Sequence, residues 1–133
     1  MANVLIVESY PNLAFLYREI LSDDGHQVFV TPSCKEAKDI AQNNDIDLVL
    51  IDKSSPDNCA EKLLRTIKTI QPRINAILCP LDKFSQKSYR ELCDESFLKT
   101  SNYSILQEKI SELAEKAVRN RKNFQNPSVP FAN

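Results

Sequence analysis

The stretch Leu48-Val49-Leu50-Ile51-Asp52 decides the fold. A continuous apolar run of this kind marks a parallel strand buried on both faces, and this one ends at an acid. Val4-Leu5-Ile6-Val7 has the same character and ends at Glu8. Working outward, Val28-Phe29-Val30, Ala76-Ile77-Leu78-Cys79 and the brief Phe97-Leu98 complete a set of five strands, followed directly by Thr31, Pro80 and Lys99.

Helical stripes separate the strands. Leu13, Leu16, Tyr17 and Ile20 lie at spacings of three and four within Asn12–Asp23, and Gly25 stands where a helix end needs a left-handed residue. Ser33 and Glu36 form a capping-box pattern ahead of Ala37, Ile40 and Ala41. Ala60, Leu63, Leu64, Ile67 and Ile70 mark a third helix, stopped near Pro72. Phe84, Ser88 and Leu92 give a thin stripe for a fourth. Asn102 can cap a last helix carrying Leu106, Ile110, Leu113 and Ala117 inward.

Regular alternation of strand and helix predicts an α/β domain: a parallel sheet covered by helices on both faces. In such sheets chemistry gathers at the carboxyl ends of the strands. That rule selects Glu8, Asp52, Pro80 and Lys99.

The 133 residues have room for one domain, expected over 1–118, with a polar, proline-bearing flexible tail over 119–133. The net charge of −1 argues against a nucleic-acid or anionic-membrane surface as partner. No apolar run approaches the roughly 20 residues of a membrane span. The N-terminus lacks the basic flank and cleavage site of a signal peptide, so the expected location is cytoplasmic. Cys34, Cys59, Cys79 and Cys93 lie far apart with no CxxC pair, and are expected as free thiols packed as small hydrophobes. His26 is expected to be an ordinary surface residue. The basic run Arg119, Arg121 and Lys122 complements the end of the last helix.

From about Asn3 to Ala117 the order of these motifs resembles the response-regulator receiver domains of two-component signalling. Leu5-Ile6-Val7-Glu8-Ser9 is similar to the first strand and its acidic pair. Leu48 to Pro56 is similar to the strand and loop of the phosphoacceptor, and Phe97-Leu98-Lys99 to the strand delivering an invariant lysine. The resemblance implies a flavodoxin-like doubly wound five-stranded sheet of order 2-1-3-4-5. It implies Asp52 as phosphoacceptor and Lys99 as phosphoryl counter-ion. Magnesium would be held by Glu8, Asp52 and the backbone carbonyl of Lys53. The implied partners are a sensor histidine kinase or phosphotransfer protein, and a separate output protein meeting the face from Phe84 to Ala117.

The chemistry requires those residue types. A carboxylate that attacks a phosphoryl group brings two anions together, so a cation and a lysine must offset the charge. The sequence departs from the family pattern at Ser9, which replaces the second acid and weakens the metal site. Pro80 replaces the switching hydroxyl, Ser96 the switching aromatic (with Phe97 one position away), and Thr100 the proline after the lysine; Ala60 stands in place of a glycine. The expected function is a stand-alone receiver phosphorylated on Asp52, acting by protein contact and not as an enzyme. The alternative is a phosphorylation-independent pseudo-receiver that acts as an interaction module, with Glu8, Asp52 and Lys99 kept as an ion-pair network. An aspartyl-nucleophile phosphatase is disfavoured, because Lys53 and Ser54 follow Asp52 where such enzymes carry DxD.

Overall fold

The structure is a computed structural model that describes residues 2–51, 59–71, 74, 76–81, 95–98 and 103–125. Alternate residues of a strand face opposite sides of its sheet, so a wholly apolar strand needs a core on each side. Strands β1 (Asn3–Val7) and β3 (Leu48–Ile51) have both. Leu5, Val7, Val49 and Ile51 enter one cluster. There Ala37 and Ala41 of helix α2 (Cys34–Asn43) and Leu63, Leu64 and Ile67 of helix α3 (Ala60–Ile70) cover them. Val4, Ile6, Leu48 and Leu50 enter the opposite cluster. Tyr17 and Leu21 of helix α1 (Pro11–Asp23) and Ile110 and Ala114 of helix α4 (Tyr103–Gln125) close it.

The chain runs β1, α1, β2 (Gln27–Thr31), α2, β3, α3, β4 (Ala76–Leu81), β5 (Glu95–Leu98), α4. β1 pairs in parallel with β2, from Asn3↔Gln27 to Val7↔Thr31, and with β3, from Val4↔Leu48 to Val7↔Ile51. β3 pairs with β4, and β4 with β5, giving the order β2-β1-β3-β4-β5. The helix expected around Phe84 to Leu92 lies outside the described residues, as does the Asn102 cap.

Helix boundaries follow local chemistry. Pro11 occupies the first turn of α1, where its missing N–H costs nothing. The buried stripe of α1 is Ala14, Tyr17 and Leu21, rotated by about one position from the expected Leu13, Leu16, Tyr17 and Ile20. The small Ala14 lets the helix approach the sheet, and Leu13 packs at the margin. At its C-terminus the His26 N–H donates to the Leu21 carbonyl and the Gly25 N–H to the Ser22 carbonyl, both at 3.0 Å. These are the two bonds of a Schellman turn, and Gly25 has the φ of 85° that the turn demands.

The Ser33 hydroxyl accepts from the Glu36 N–H at 3.2 Å, the first half of the expected capping box. The second half is relayed. The Ser33 N–H donates to the buried Thr31 hydroxyl at 3.1 Å, and that hydroxyl donates to the Glu36 carboxylate at 2.9 Å. At the amino ends of the strands, the Gln71 side chain binds three segments together. Its oxygen accepts from the Ile46 N–H at 2.8 Å, and its amide donates to the carbonyls of Ala41 and Asn44. The Asn3 N–H donates to Asp47 Oδ2 at 2.8 Å, fixing the level of β1 against β3.

α4 runs to Gln125, through the basic run Arg119, Arg121 and Lys122 expected at its end. These residues contain no glycine or proline, Arg, Lys and Gln among them favour helix, and Pro127 is the first breaker. One expectation is corrected. Cys34 and Cys59 are not free thiols: they form a disulfide, with their Cα atoms 6.4 Å apart across a sequence separation of 25. Cys34 is the first residue of α2 and Cys59 the N-cap of α3, and these two helices pack on the same face of the sheet. Topology, rather than spacing along the chain, brings the pair together. The side chain of Cys79 and the whole of Cys93 lie outside the described residues.

Closing a loop of this length restricts the unfolded chain by about 3 kcal/mol in the chain-entropy account. The Cys34→Ala/Cys59→Ala variant should therefore unfold in urea with stability lower than the oxidised protein by about 3 kcal/mol. Gly25→Ala should cost about 1 kcal/mol through backbone conformation alone, since an added Cβ meets nothing within 4 Å. In urea denaturation Gly25→Asn should recover part of that loss, because asparagine tolerates the left-handed region.

Candidate site at the carboxyl edge of the sheet

β1 and β3 finish level, with Val7 and Ile51 as register partners. Glu8 follows Val7 directly. Its N–H donates to the Thr31 carbonyl of β2 at 3.0 Å, so the backbone carries the residue onward in line with the sheet. Only 3% of Glu8 is exposed, which makes it a buried carboxylate at a strand end. Its Oε1 accepts from the Tyr10 N–H at 3.3 Å, and α1 begins at the next residue. The positive end of that helix and this N–H offset part of the cost of burying the acid. Ser9 is half-buried beside it, and the rings of Tyr10 and Phe15 stand exposed.

The other expected site residues divide into two groups. Asp52 and Lys53, next along the chain from Ile51, lie outside the described residues, as do Lys99 and Thr100 beyond Leu98. Pro80 and Ser96 are described through their backbone. β4 runs through Pro80 to Leu81 instead of ending at Cys79, as the sequence led us to expect. Pro80 is opposite Phe97, and Ser96 opposite Cys79. The described β3–β4 pairing ends at Leu50↔Leu78. Pro80 lies beyond those pairs, and within β4 it pairs with Phe97 of β5.

Among the described residues, no three His, Cys, Asp or Glu side chains come together as a metal cluster. Glu8 is the one member of the expected magnesium set that falls among them. Its buried carboxylate is a hard oxygen donor of the kind magnesium takes, and the neighbouring Ser9 hydroxyl offers a weaker dipole. Among the described residues no helix is long and apolar enough to cross a membrane.

Sequence reasoning missed the Cys34–Cys59 bond, the Thr31 relay and the role of His26. The neighbouring helix starts were the available signal for the bond. Thr31, following an apolar strand and preceding Ser33, offered a weaker one. His26 lies at the opposite edge, where its Nδ1 accepts from the Ala2 N–H at 3.0 Å. Burial holds its pKa below 6.5, helped by the positive amino terminus, while Asp24 and Glu115 oppose the shift. The folded protein therefore resists protonation that the unfolded chain accepts. The contribution is intact above the unfolded value of 6.5 and is lost as pH falls below it. In urea unfolding, the protein should lose more stability between about pH 7.5 and about pH 5.5 than a His26→Gln variant does.

No protein-family model matches the sequence, and no curated protein matches it. Solved structures do. The chain is similar to a response-regulator receiver domain protein from Clostridium thermocellum, at 22% identity and a TM-score of 0.76, covering 92% of this chain and 98% of that one. It is similar to a CheY-like receiver domain protein from Methanospirillum hungatei JF-1, at 20% identity and a TM-score of 0.74, covering 90% and 98%. A third is the response regulator TrrA from Thermotoga maritima, solved in complex with Mg(2+)-BeF, at 23% identity and a TM-score of 0.73, covering 85% and 99%.

Proposed function

We propose that this chain, which has the fold of response-regulator receiver domains, acts in two-component signalling by accepting a phosphoryl group on Asp52. The observation that supports it most is the level finish of β1 and β3. Buried Glu8 follows Val7, and Asp52 follows Val7's register partner Ile51. In this reading the sheet is the flavodoxin-like five-stranded one, and the domain serves as a cytoplasmic signalling module and not as an enzyme.

The Asp52 carboxylate attacks phosphorus in a phosphohistidine donor. The P–N bond breaks, an acyl phosphate forms, and the donor imidazole leaves with its electron pair. Glu8, Asp52 and the Lys53 carbonyl would hold magnesium, which supplies positive charge against the two approaching anions. Lys99 supplies the second positive charge as phosphoryl counter-ion. Solved neighbours with magnesium support the metal reading: TrrA, and a receiver domain of a Pseudomonas aeruginosa PAO1 sensor histidine kinase whose active-site cleft coordinates the ion. Ser9 makes the affinity weaker than a second carboxylate would. A sensor kinase or phosphotransfer protein is the donor, and an output protein reads the face from Phe84 to Ala117.

A second reading is a phosphorylation-independent interaction module. It draws support from Pro80, which continues β4 at the position of the family's switching hydroxyl and has none to offer. Incubation with acetyl phosphate and magnesium, followed by intact mass, distinguishes the two. One phosphoryl group should be added, Asp52→Asn should abolish the adduct, and Lys99→Ala should slow it. No adduct at any magnesium concentration would overturn the phosphoacceptor reading in favour of the module. Generic phosphomonoesters should not be turned over.

A further inference from the structure

The last helix carries its charges in order. Glu108, Glu112, Glu115, Arg119 and Lys122 follow one another at spacings of four, three, four and three, the spacing of a coiled-coil seam. The turns of α4 therefore set them in one line along the helix, acids first and bases last. The core lies on another side: Ile110, Ala114 and Ala117 are buried, whereas Glu108, Glu112, Glu115 and Arg119 are exposed. The acidic half lines an open groove of about 610 Å³, together with Ser104, Gln107 and Ser111. This flank of the helix is turned toward α1. There the Ser111 hydroxyl donates to Asp24 Oδ2 at 3.1 Å, and Asp24 adds a carboxylate to the acidic half.

Charges on a helix are often answered four residues along the same helix. α3 does this, where Arg65 meets Glu61 at 3.1 Å. Glu112–Lys116 and Glu115–Arg119, all described residues at the same spacing, do not close as ion pairs. A partner that meets the whole line must present bases to its acids and acids to its bases, in reverse order. α4 has that pattern itself when turned end for end. Two antiparallel copies centred on Ala117 bring Glu112 opposite Lys122 and Glu115 opposite Arg119, and two-fold symmetry repeats both pairings. A parallel arrangement would set like charge on like charge.

We propose that this face of α4 binds the same face of a second copy of the chain, antiparallel, as a two-fold dimer joined by Glu112 with Lys122 and Glu115 with Arg119. A separate partner would need only one sign of charge to meet half the line; a second copy uses all of it. Exposed ion pairs each contribute little and are screened by salt. The line itself contains no apolar residue, so the dimer is weak and forms at high protein concentration and low ionic strength. The pairing needs neither Asp52 nor a metal, and stands apart from the phosphoacceptor reading.

Sedimentation equilibrium of the full chain tests it. Self-association should tighten by about tenfold or more between about 0.5 M and about 0.02 M sodium chloride. Glu112→Lys/Glu115→Lys makes this part of the line wholly basic, and Arg119→Glu/Lys122→Glu makes it wholly acidic. Each variant alone should be monomeric at low salt, and an equal mixture should associate as a one-to-one heterodimer. Zero-length carbodiimide treatment of the unaltered chain should give a covalent dimer whose digest contains Glu112 joined to Lys122. Should either variant not fold, that cross-link decides, and its absence from the digest overturns the proposal. An unaltered chain that stays monomeric at low salt, self-association that survives either reversal, or a mixture of folded variants that remains monomeric would each overturn it as well.

Discussion

The requirement that β1 and β3 be covered on both faces organises this molecule. Each contributes alternate residues to two separate clusters, and from Val4 to Val7 and from Leu48 to Ile51 neither strand has a polar residue to turn toward water. Helices must therefore lie on both sides of the sheet. α2 and α3 occupy one face, α1 and α4 the other. Where the helices begin follows from that arrangement, because each of α1, α2 and α3 starts from the carboxyl end of the strand before it. The candidate site is thus a by-product of core packing: the edge at which buried strands run out is also the edge at which helix N-termini collect.

Charge at that edge is managed by backbone. Glu8 is buried, but it sits between the Thr31 carbonyl that accepts its N–H and the Tyr10 N–H that donates to its carboxylate. The same economy operates one strand over. The Thr31 hydroxyl serves both the Ser33 N–H and the Glu36 carboxylate, so one buried polar atom adds two bonds to the Ser33 cap at the start of α2. That start carries Cys34, and through it the link to Cys59. The elements that fix the acid and those that fix the disulfide therefore meet at the end of β2, where the Thr31 backbone serves Glu8 and its side chain serves the cap of α2.

Much of the fold was legible because its signals are local. The runs at Val4–Val7 and Leu48–Ile51, the left-handed Gly25 and the Ser33 cap each act within a few residues, and each does in three dimensions what its chemistry required. The readings that failed depended on neighbours distant in sequence. The stripe of α1 turned about one position because Ala14 allows close approach to the sheet. β4 continued through Pro80, where it pairs with Phe97 of β5.

By itself, the sequence determined the alternation of strand and helix, the two-sided burial of the central strands, and the acids Glu8 and Asp52 that follow them along the chain. These depend on periodicity and on the residue next in line. Tertiary structure alone decided the level finish of β1 and β3, the enclosure of Glu8 and the meeting of Cys34 with Cys59. Strand register and helix packing set all three. No spacing within a single chain segment encodes the distance between two helix starts that a whole strand and helix separate.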